Sequence, residues 1–277
     1  MQTQKNLKTE ELKQTAANNL LILRKQIPLV HNITNYVVMN FTANMLLSLG
    51  ASPIMAHARQ EMKDIVNISN SLVINIGTLS EKWIESMLIA GKYAEHLNKP
   101  IILDPVGNGA SFYRTDTVDK LINEVKFSII RGNASEIIAL AKKQESKTKG
   151  VDSVHSSNDA ISVAQKFARD SGVTIVVSGK EDIATNGKRT YRLSNGTSLL
   201  SSVTGTGCAA TAVIGAFLGI EKDPLTAAIS GICAYNIAAE LAENNAKGPG
   251  SFVPAMFDAL YNLTPEDIIS RAAIDEV

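Results

Sequence analysis

Cysteine is nearly absent from this chain: Cys208 and Cys233 are the only two in 277 residues. Two cysteines cannot staple a secreted scaffold, and no Cys/His group has the spacing of a structural zinc site. A reducing, cytoplasmic setting is therefore expected. Charge of one sign is scarce as well. Lys plus Arg and Asp plus Glu both number 27, so no global field favours nucleic acid or an anionic membrane surface. Small molecules or proteins are the expected partners. Strongly hydrophobic runs are also missing. Leu199 to Ile220 approaches the length of a membrane span, but Ser, Thr, Gly and Ala fill most of it and large aliphatic residues are too sparse to drive insertion. A helix buried inside a globular core is expected there. The first twenty residues, MQTQKNLKTEELKQTAANNL, hold no apolar core of a signal peptide and are expected to form an amphipathic helix.

A hydrophobic content of 45% is enough for a sizeable core. Short β-branched runs, SLVINIG, PIILDPV, FSIIRG and VTIVVSG, alternate with segments whose apolar residues recur at three and four, such as SEKWIESMLIAGKYAEHLN and NDAISVAQKFARDSG. That rhythm predicts an α/β fold with a mostly parallel central sheet and helices on both faces. After the last of these strands, IATNGKRTYRLSNGTSLLSS contains Asn-Gly twice, which predicts antiparallel hairpins at one edge. From Gly205 onward the pattern is almost wholly helical, with Thr264 as a cap before Pro265. The polar stretch KKQESKTKGVDSVHSS reads as a loop between helices, and the chain is expected to form one domain, 1–277.

Ligands of such sheets collect at the carboxyl ends of the strands. In TGTGC, Gly205, Thr206 and Gly207 precede a helix, an arrangement that suits a phosphate and equally serves as a tight packing turn. It lacks the Lys-Ser or Lys-Thr of a Walker loop and the position of a dinucleotide fingerprint. In LDPVGN, Asp104 ends a strand, where it either orients Mg2+ or its waters or caps the loop. In RGNASEI, Asn133 and Glu136 have capping-box spacing, while Arg131 is placed for a bidentate phosphate contact and Glu136 for a metal held through water. Ser178 and Gly179 end a further strand in a manner that suits a nucleotide, and the charged residues after them read as a solvated turn.

Taken together, GTGC opening an Ala-rich helix, RGNASE and DPVG after strands, and VHNITNYVVMNFTANMLLSLGASPIMAHA near the start resemble the hydroxyethylthiazole kinase family, of the ribokinase-like superfamily. The resemblance runs in order from about Leu29 to Ile269. It implies a ribokinase-like fold and transfer of the γ-phosphoryl of ATP to the alcohol of 4-methyl-5-(2-hydroxyethyl)thiazole, in thiamine salvage. By the same resemblance, Arg131, Ser178, Thr206 and Gly207 contact ATP. Met55, Gly205, Asn35 and Val37 contact the thiazole, and Asp104 and Glu136 are the magnesium carboxylates. It further implies a homotrimer with active sites between subunits. Cys208 stands where other ribokinase-like enzymes place an Asp that takes the proton of the attacking hydroxyl. A helix N-terminus lowers a thiol's pKa, so a useful fraction of thiolate at neutral pH is expected there, and Cys208 is expected to be the catalytic residue, assisting by position and by accepting that proton as a weak base.

Overall fold

The computed structural model describes residues 2–146 and 157–277. Among the described residues nine strands form one sheet: β1 (Leu29–Ile33), β2 (Ser52–Ile54), β3 (Ser71–Asn75), β4 (Ile101–Asp104), β5 (Ile129–Asn133), β6 (Thr174–Ser178), β7 (Asp182–Thr185), β8 (Thr190–Leu193) and β9 (Ile274–Glu276), in the order β2-β1-β3-β4-β5-β6-β7-β8-β9. From β2 to β6 all pairings are parallel, and from β6 to β9 all are antiparallel. The mostly parallel sheet with an antiparallel edge is thus observed.

Each central strand is apolar on both sides because both sides are covered. Val30, Val73, Ile102, Ile129 and Val176 face one core, shared with α1 (Gln2–Gln26), α2 (Met39–Leu49), α8 (Thr206–Leu218), α9 (Pro224–Glu243), α10 (Pro249–Asn262) and α11 (Pro265–Arg271). Leu72, Ile74, Leu103, Ile130 and Ile175 face the other, shared with α3 (Met62–Ile68), α4 (Glu81–His96), α5 (Phe112–Glu124), α6 (Ala134–Ser146) and α7 (Ser157–Ser171). Each large aliphatic side chain so buried contributes about 1.5–3 kcal/mol. In the first helix the apolar face is Ala16, Leu20 and Leu23, as amphipathic spacing requires.

Small residues in α8 serve close packing rather than lipid. A Cβ added at Gly215 would lie 2.7 Å from Val73 Cγ2, so the helix rests directly on the sheet. Its other side carries α9, whose Gly231 abuts Ile214. The latter helix is long and apolar enough to cross a membrane, yet 83% of that window is buried inside the protein. Both are central core helices.

Several elements differ from expectation. The first Asn-Gly, Asn186–Gly187, does turn a hairpin between β7 and β8, with Asn186 Oδ1 accepting from the N–H groups of Lys188 and Arg189. The second, Asn195–Gly196, does not, because the chain continues into a 3₁₀ turn at Ser198–Ser202 and β8 pairs instead with the C-terminal β9. Asn195 is committed elsewhere, donating to Glu240 and accepting from the Ala273 N–H. Of the polar stretch read as a loop, Lys142–Ser146 complete α6 and Ser157 begins α7, while 147–156 lie outside the described residues.

Candidate active site

Asn75, Asp104, Asn133 and Ser178 are the last residues of four parallel strands, and the register sets Asn75 beside Asp104 and Asn133 beside Ser178. Polar side chains at these positions follow apolar strands whose hydrogen bonds are complete, so they meet at the sheet's carboxyl end. There two of them, Asn75 and Asp104, join Asn35 and Thr211 in a continuous chain. Asn35 Nδ2 donates to Asn75 Oδ1 at 2.8 Å, and Asn75 Nδ2 donates to Asp104 Oδ2 at 2.8 Å. Thr211 Oγ1, from α8, donates to the same carboxylate oxygen at 2.8 Å. Asn35 also donates to Cys208 Sγ at 3.5 Å, and its own oxygen accepts from the Val37 N–H.

Asp104 is 2% exposed. Burial raises its pKa to about 6, with Glu136 adding to the rise, while Arg131, Thr211 and Asn75 oppose it by stabilising the charged form. A carboxylate in this state changes charge close to neutral pH, as groups in functional clefts often do.

The thiol behaves differently from the sequence expectation. Cys208 is in the first turn of α8, but burial, followed by the nearby Asp104 charge, pushes its pKa up to about 11. Desolvation and a neighbouring anion outweigh the helix dipole, which acts only over the first turn and is worth about 0.3–1 kcal/mol when exposed. At neutral pH Cys208 is therefore a neutral thiol.

Gly205 caps α8 with φ +86°, a left-handed conformation that favours glycine. A Cβ there would also meet Val38 Cγ1 at 2.5 Å, so glycine lets the Asn35–Val38 loop press against the helix start. No side chain caps this terminus, which leaves the first N–H groups of α8 to a ligand. Arg131 reaches across from β5, donating from Nη1 to the Gly207 carbonyl at 2.9 Å. The Thr206 hydroxyl is turned away onto the carbonyls of Leu200 and Val203, so only its main chain faces an anion.

Beside this terminus opens a cavity of about 730 Å³, lined by Arg131, Ser178, Thr206 and Gly207 together with Asp182 and Asn236. The residues expected to contact ATP thus share one cavity. Its size suits a nucleotide. Asp182, expected in a solvated turn, instead begins β7 and accepts from Asn236 Nδ2 at 2.7 Å and from the Gly179 N–H. Burial raises its pKa.

Met55, Asn35, Val37 and Gly205 are not part of that cavity's lining. Asn35 and Val37 belong to the loop that packs on Gly205 and Cys208 at the α8 start, where Tyr36 and Val37 are 68% and 62% exposed, while Met55 follows the edge strand β2. Glu136 has both carboxylate oxygens engaged, Oε1 by the Gly107 N–H at 2.7 Å and Oε2 by the Asn133 N–H at 2.8 Å. With Asn133 Oδ1 accepting from the Glu136 N–H, the capping box is formed. Glu136 therefore caps α6 and ties it to the loop after β4.

Sequence reasoning missed Asn75 and Thr211. The signal for Asn75 was present, since an amide closing the run Leu72–Ile74 has no use in an apolar core. Thr211 carried none, being one hydroxyl within an Ala-rich helix.

Comparison with known proteins settles the family. The hydroxyethylthiazole kinase family model matches residues 20–266. The chain is 49% identical over 262 residues to the hydroxyethylthiazole kinase of Desulfotalea psychrophila, covering 95% of this chain and 96% of that one.

The chain belongs to the hydroxyethylthiazole kinase family.

Its activity is that of the family, a kinase acting on hydroxyethylthiazole with ATP as co-substrate. A second family member, from Methanococcus vannielii, is 49% identical over 262 residues, 94% of this chain and 98% of that one. The solved hydroxyethylthiazole kinase structure from Pyrococcus horikoshii OT3 superposes with a TM-score of 0.88 at 40% identity, covering 95% of this chain and 98% of that one. Pyridoxal kinase from Staphylococcus aureus shares the ribokinase-like fold at 17% identity, with a TM-score of 0.65 over 91% of this chain and 98% of that one.

Proposed function

We propose that the chain works as one kinase domain in which the 730 Å³ cavity holds ATP and the Asn35–Val38 side of the α8 start holds the thiazole alcohol. The observation that carries this reading is the position of the uncapped α8 terminus, between the cavity and the Asn35 loop, with buried Asp104 adjoining both through Thr211 and Asn75. The γ-phosphoryl lies at that terminus, where main-chain N–H groups of Thr206 and Gly207 face it. Arg131 offsets phosphate charge, and Ser178 bounds the cavity at the end of β6. Met55, Val37, Asn35 and Gly205 orient the alcohol toward the phosphoryl group. Phosphoryl transfer passes through a loose transition state, so placement and electrostatics carry most of the acceleration and the alcohol sheds its proton late. Cys208, neutral at this pH, fills the floor of the site beside Asn35 and acts by position rather than as a base.

Magnesium (Mg2+) fits the donor set. Asp104 and Glu136 are hard oxygen donors close enough for Glu136 to raise the Asp104 pKa, a repulsion that a cation relieves. Both of the hydrogen bonds Asp104 accepts go to Oδ2, which leaves Oδ1 for an ion or its water. Glu136, with each oxygen already bonded once, serves through water. Bound there, Mg2+ would neutralise charge on the phosphates.

The homotrimer belongs to the same reading, supported by the exposure of Tyr36 and Val37 beside the thiazole residues, a surface that a neighbouring subunit would cover. The cytoplasm is the compartment that suits two free thiols. Release of ADP from Mg-ATP, measured with the thiazole alcohol and with the hydroxymethylpyrimidine alcohol, tests the assignment. Turnover is expected with the thiazole alcohol and at most a few per cent of it with the pyrimidine. Equal rates, or no thiazole-dependent ADP, would overturn it.

A further inference from the structure

We infer that Arg114 is a positioning residue for the kinase reaction, holding together the two loops that follow Asn75 and Asp104. The inference rests on the site assignment above. From α5 its Nη1 donates to the carbonyls of Ile76 at 2.8 Å and Val106 at 2.6 Å, and its Nη2 donates to the carbonyl of Gly77 at 2.7 Å. Its methylene stem lies against Gly107, where a Cβ would fall 3.2 Å from Arg114 Cδ. One guanidinium therefore joins the loop after β3 to the loop after β4. Glu136 continues the join, since it accepts from the Gly107 N–H and caps α6. Three consecutive carboxyl-end loops are tied by two side chains, and Asn75 and Asp104 are the residues from which two of those loops leave.

Two features separate this from ordinary surface packing. Arg114 sits in the first turn of α5, where the macrodipole disfavours a cation and where no acidic residue is present. A local rule broken at the mouth of a site points to a function for the broken position. The guanidinium also has no carboxylate partner among the described residues, and all three of its bonds go to main-chain oxygens that would otherwise repel one another. A planar fork can bridge three such acceptors, whereas a lysine ammonium on a single stem cannot hold the same geometry. Arg114 does not line the nucleotide cavity. Its loss therefore acts on the placement of the Asp104 carboxylate rather than on ATP affinity.

The test is Arg114→Ala and Arg114→Lys in the full chain, with kcat and both KM values measured and hydrogen exchange followed at residues 76–78 and 105–108. For Arg114→Ala, kcat is expected to fall about 100-fold, a size typical of small misplacements near reacting groups. The KM for ATP is expected to stay within about threefold, exchange in both loops to rise, and added guanidinium to restore part of kcat. Arg114→Lys, which keeps the charge and the helix, is expected to recover less than a tenth of the lost rate, and it decides the matter if the alanine variant does not fold. Full activity in Arg114→Lys, or in a folded Arg114→Ala, overturns the inference. So does a loss confined to the KM for ATP. An inactive wild type would instead contradict the site assignment, and the exchange difference would still report on the clamp.

Discussion

Asp104→Asn is expected to lower kcat/KM by about 10³-fold while making the protein more stable at pH 7.5. The two effects have one cause. Asp104 is buried, and its negative charge is tolerated because Arg131, Thr211 and Asn75 face it. An unfolded aspartate ionises near 3.8, whereas the folded one does so at about 6. Between those values the folded state keeps a proton that the unfolded state has lost, so stability drops as pH rises through that window and the full penalty persists above it. The gap corresponds to about 3 kcal/mol, a net figure in which the Arg131 attraction is already included. Asparagine can still accept from Asn75 and Thr211 through its carbonyl oxygen. Melting at pH 7.5 is thus expected to rise by several degrees, and the gain to vanish below pH 4. Activity is expected to fall because the variant loses the anion proposed to hold Mg2+, which also accepts from Asn75 in the chain that leads to Asn35. A variant with wild-type turnover, or one less stable than wild type at pH 7.5, would contradict this account.

Arg131→Ala is expected to lose about 10²–10³ in kcat/KM for ATP, the size of effect seen when one donor is removed from a charge-stabilising site. Its guanidinium is held across the first turn of α8 by the Gly207 carbonyl and lines the cavity beside Ser178. In the proposed ATP complex it is therefore placed for phosphate before the nucleotide arrives. Glycine at 207 permits this approach, since a Cβ there would fall 3.0 Å from Nη1. Arg131→Lys keeps a charge but not the fork, and is expected to recover only part of the loss. The KM for the thiazole alcohol should change little, because none of Met55, Asn35, Val37 and Gly205 lines the cavity that Arg131 lines. Steady-state kinetics with each substrate varied separately would show this split; equal losses for both would place Arg131 elsewhere in the reaction.

Much of the architecture was legible because burial on both faces leaves a local signature. The runs Leu72–Ile74, Ile101–Leu103 and Ile175–Val177 are apolar without alternation, and they lie in central strands. β1 was obscured by the polar His31 and Asn32, β2 by its three-residue length and Pro53, and β9 by its acidic residues. Those elements exist because long-range pairing supplies what local propensity does not. At the site, the glycine turn and the strand-end residues Asp104 and Ser178 could be found from position alone, whereas Arg131, read as following its strand, lies inside β5, which runs on to Asn133. The protonation state of Cys208 could not. It depends on burial and on an Asp a hundred residues away, and neither is written near the thiol. Glu136 shows the reverse, since its capping spacing was legible and is formed.

The central claim is that a carboxylate poised near neutrality, and not the thiol at the helix start, sets the ionisation on which turnover depends. It is tested most directly by the pH dependence of kcat/KM for the wild type and for Cys208→Ala, from pH 5 to pH 10. Both are expected to show one acid limb at or below pH 6, since Mg2+ favours the charged carboxylate, and a plateau above it, with the alanine variant keeping at least a tenth of the plateau rate. A folded, ATP-binding Cys208→Ala without activity, or a wild-type rate that climbs with thiolate up to pH 10, would contradict it.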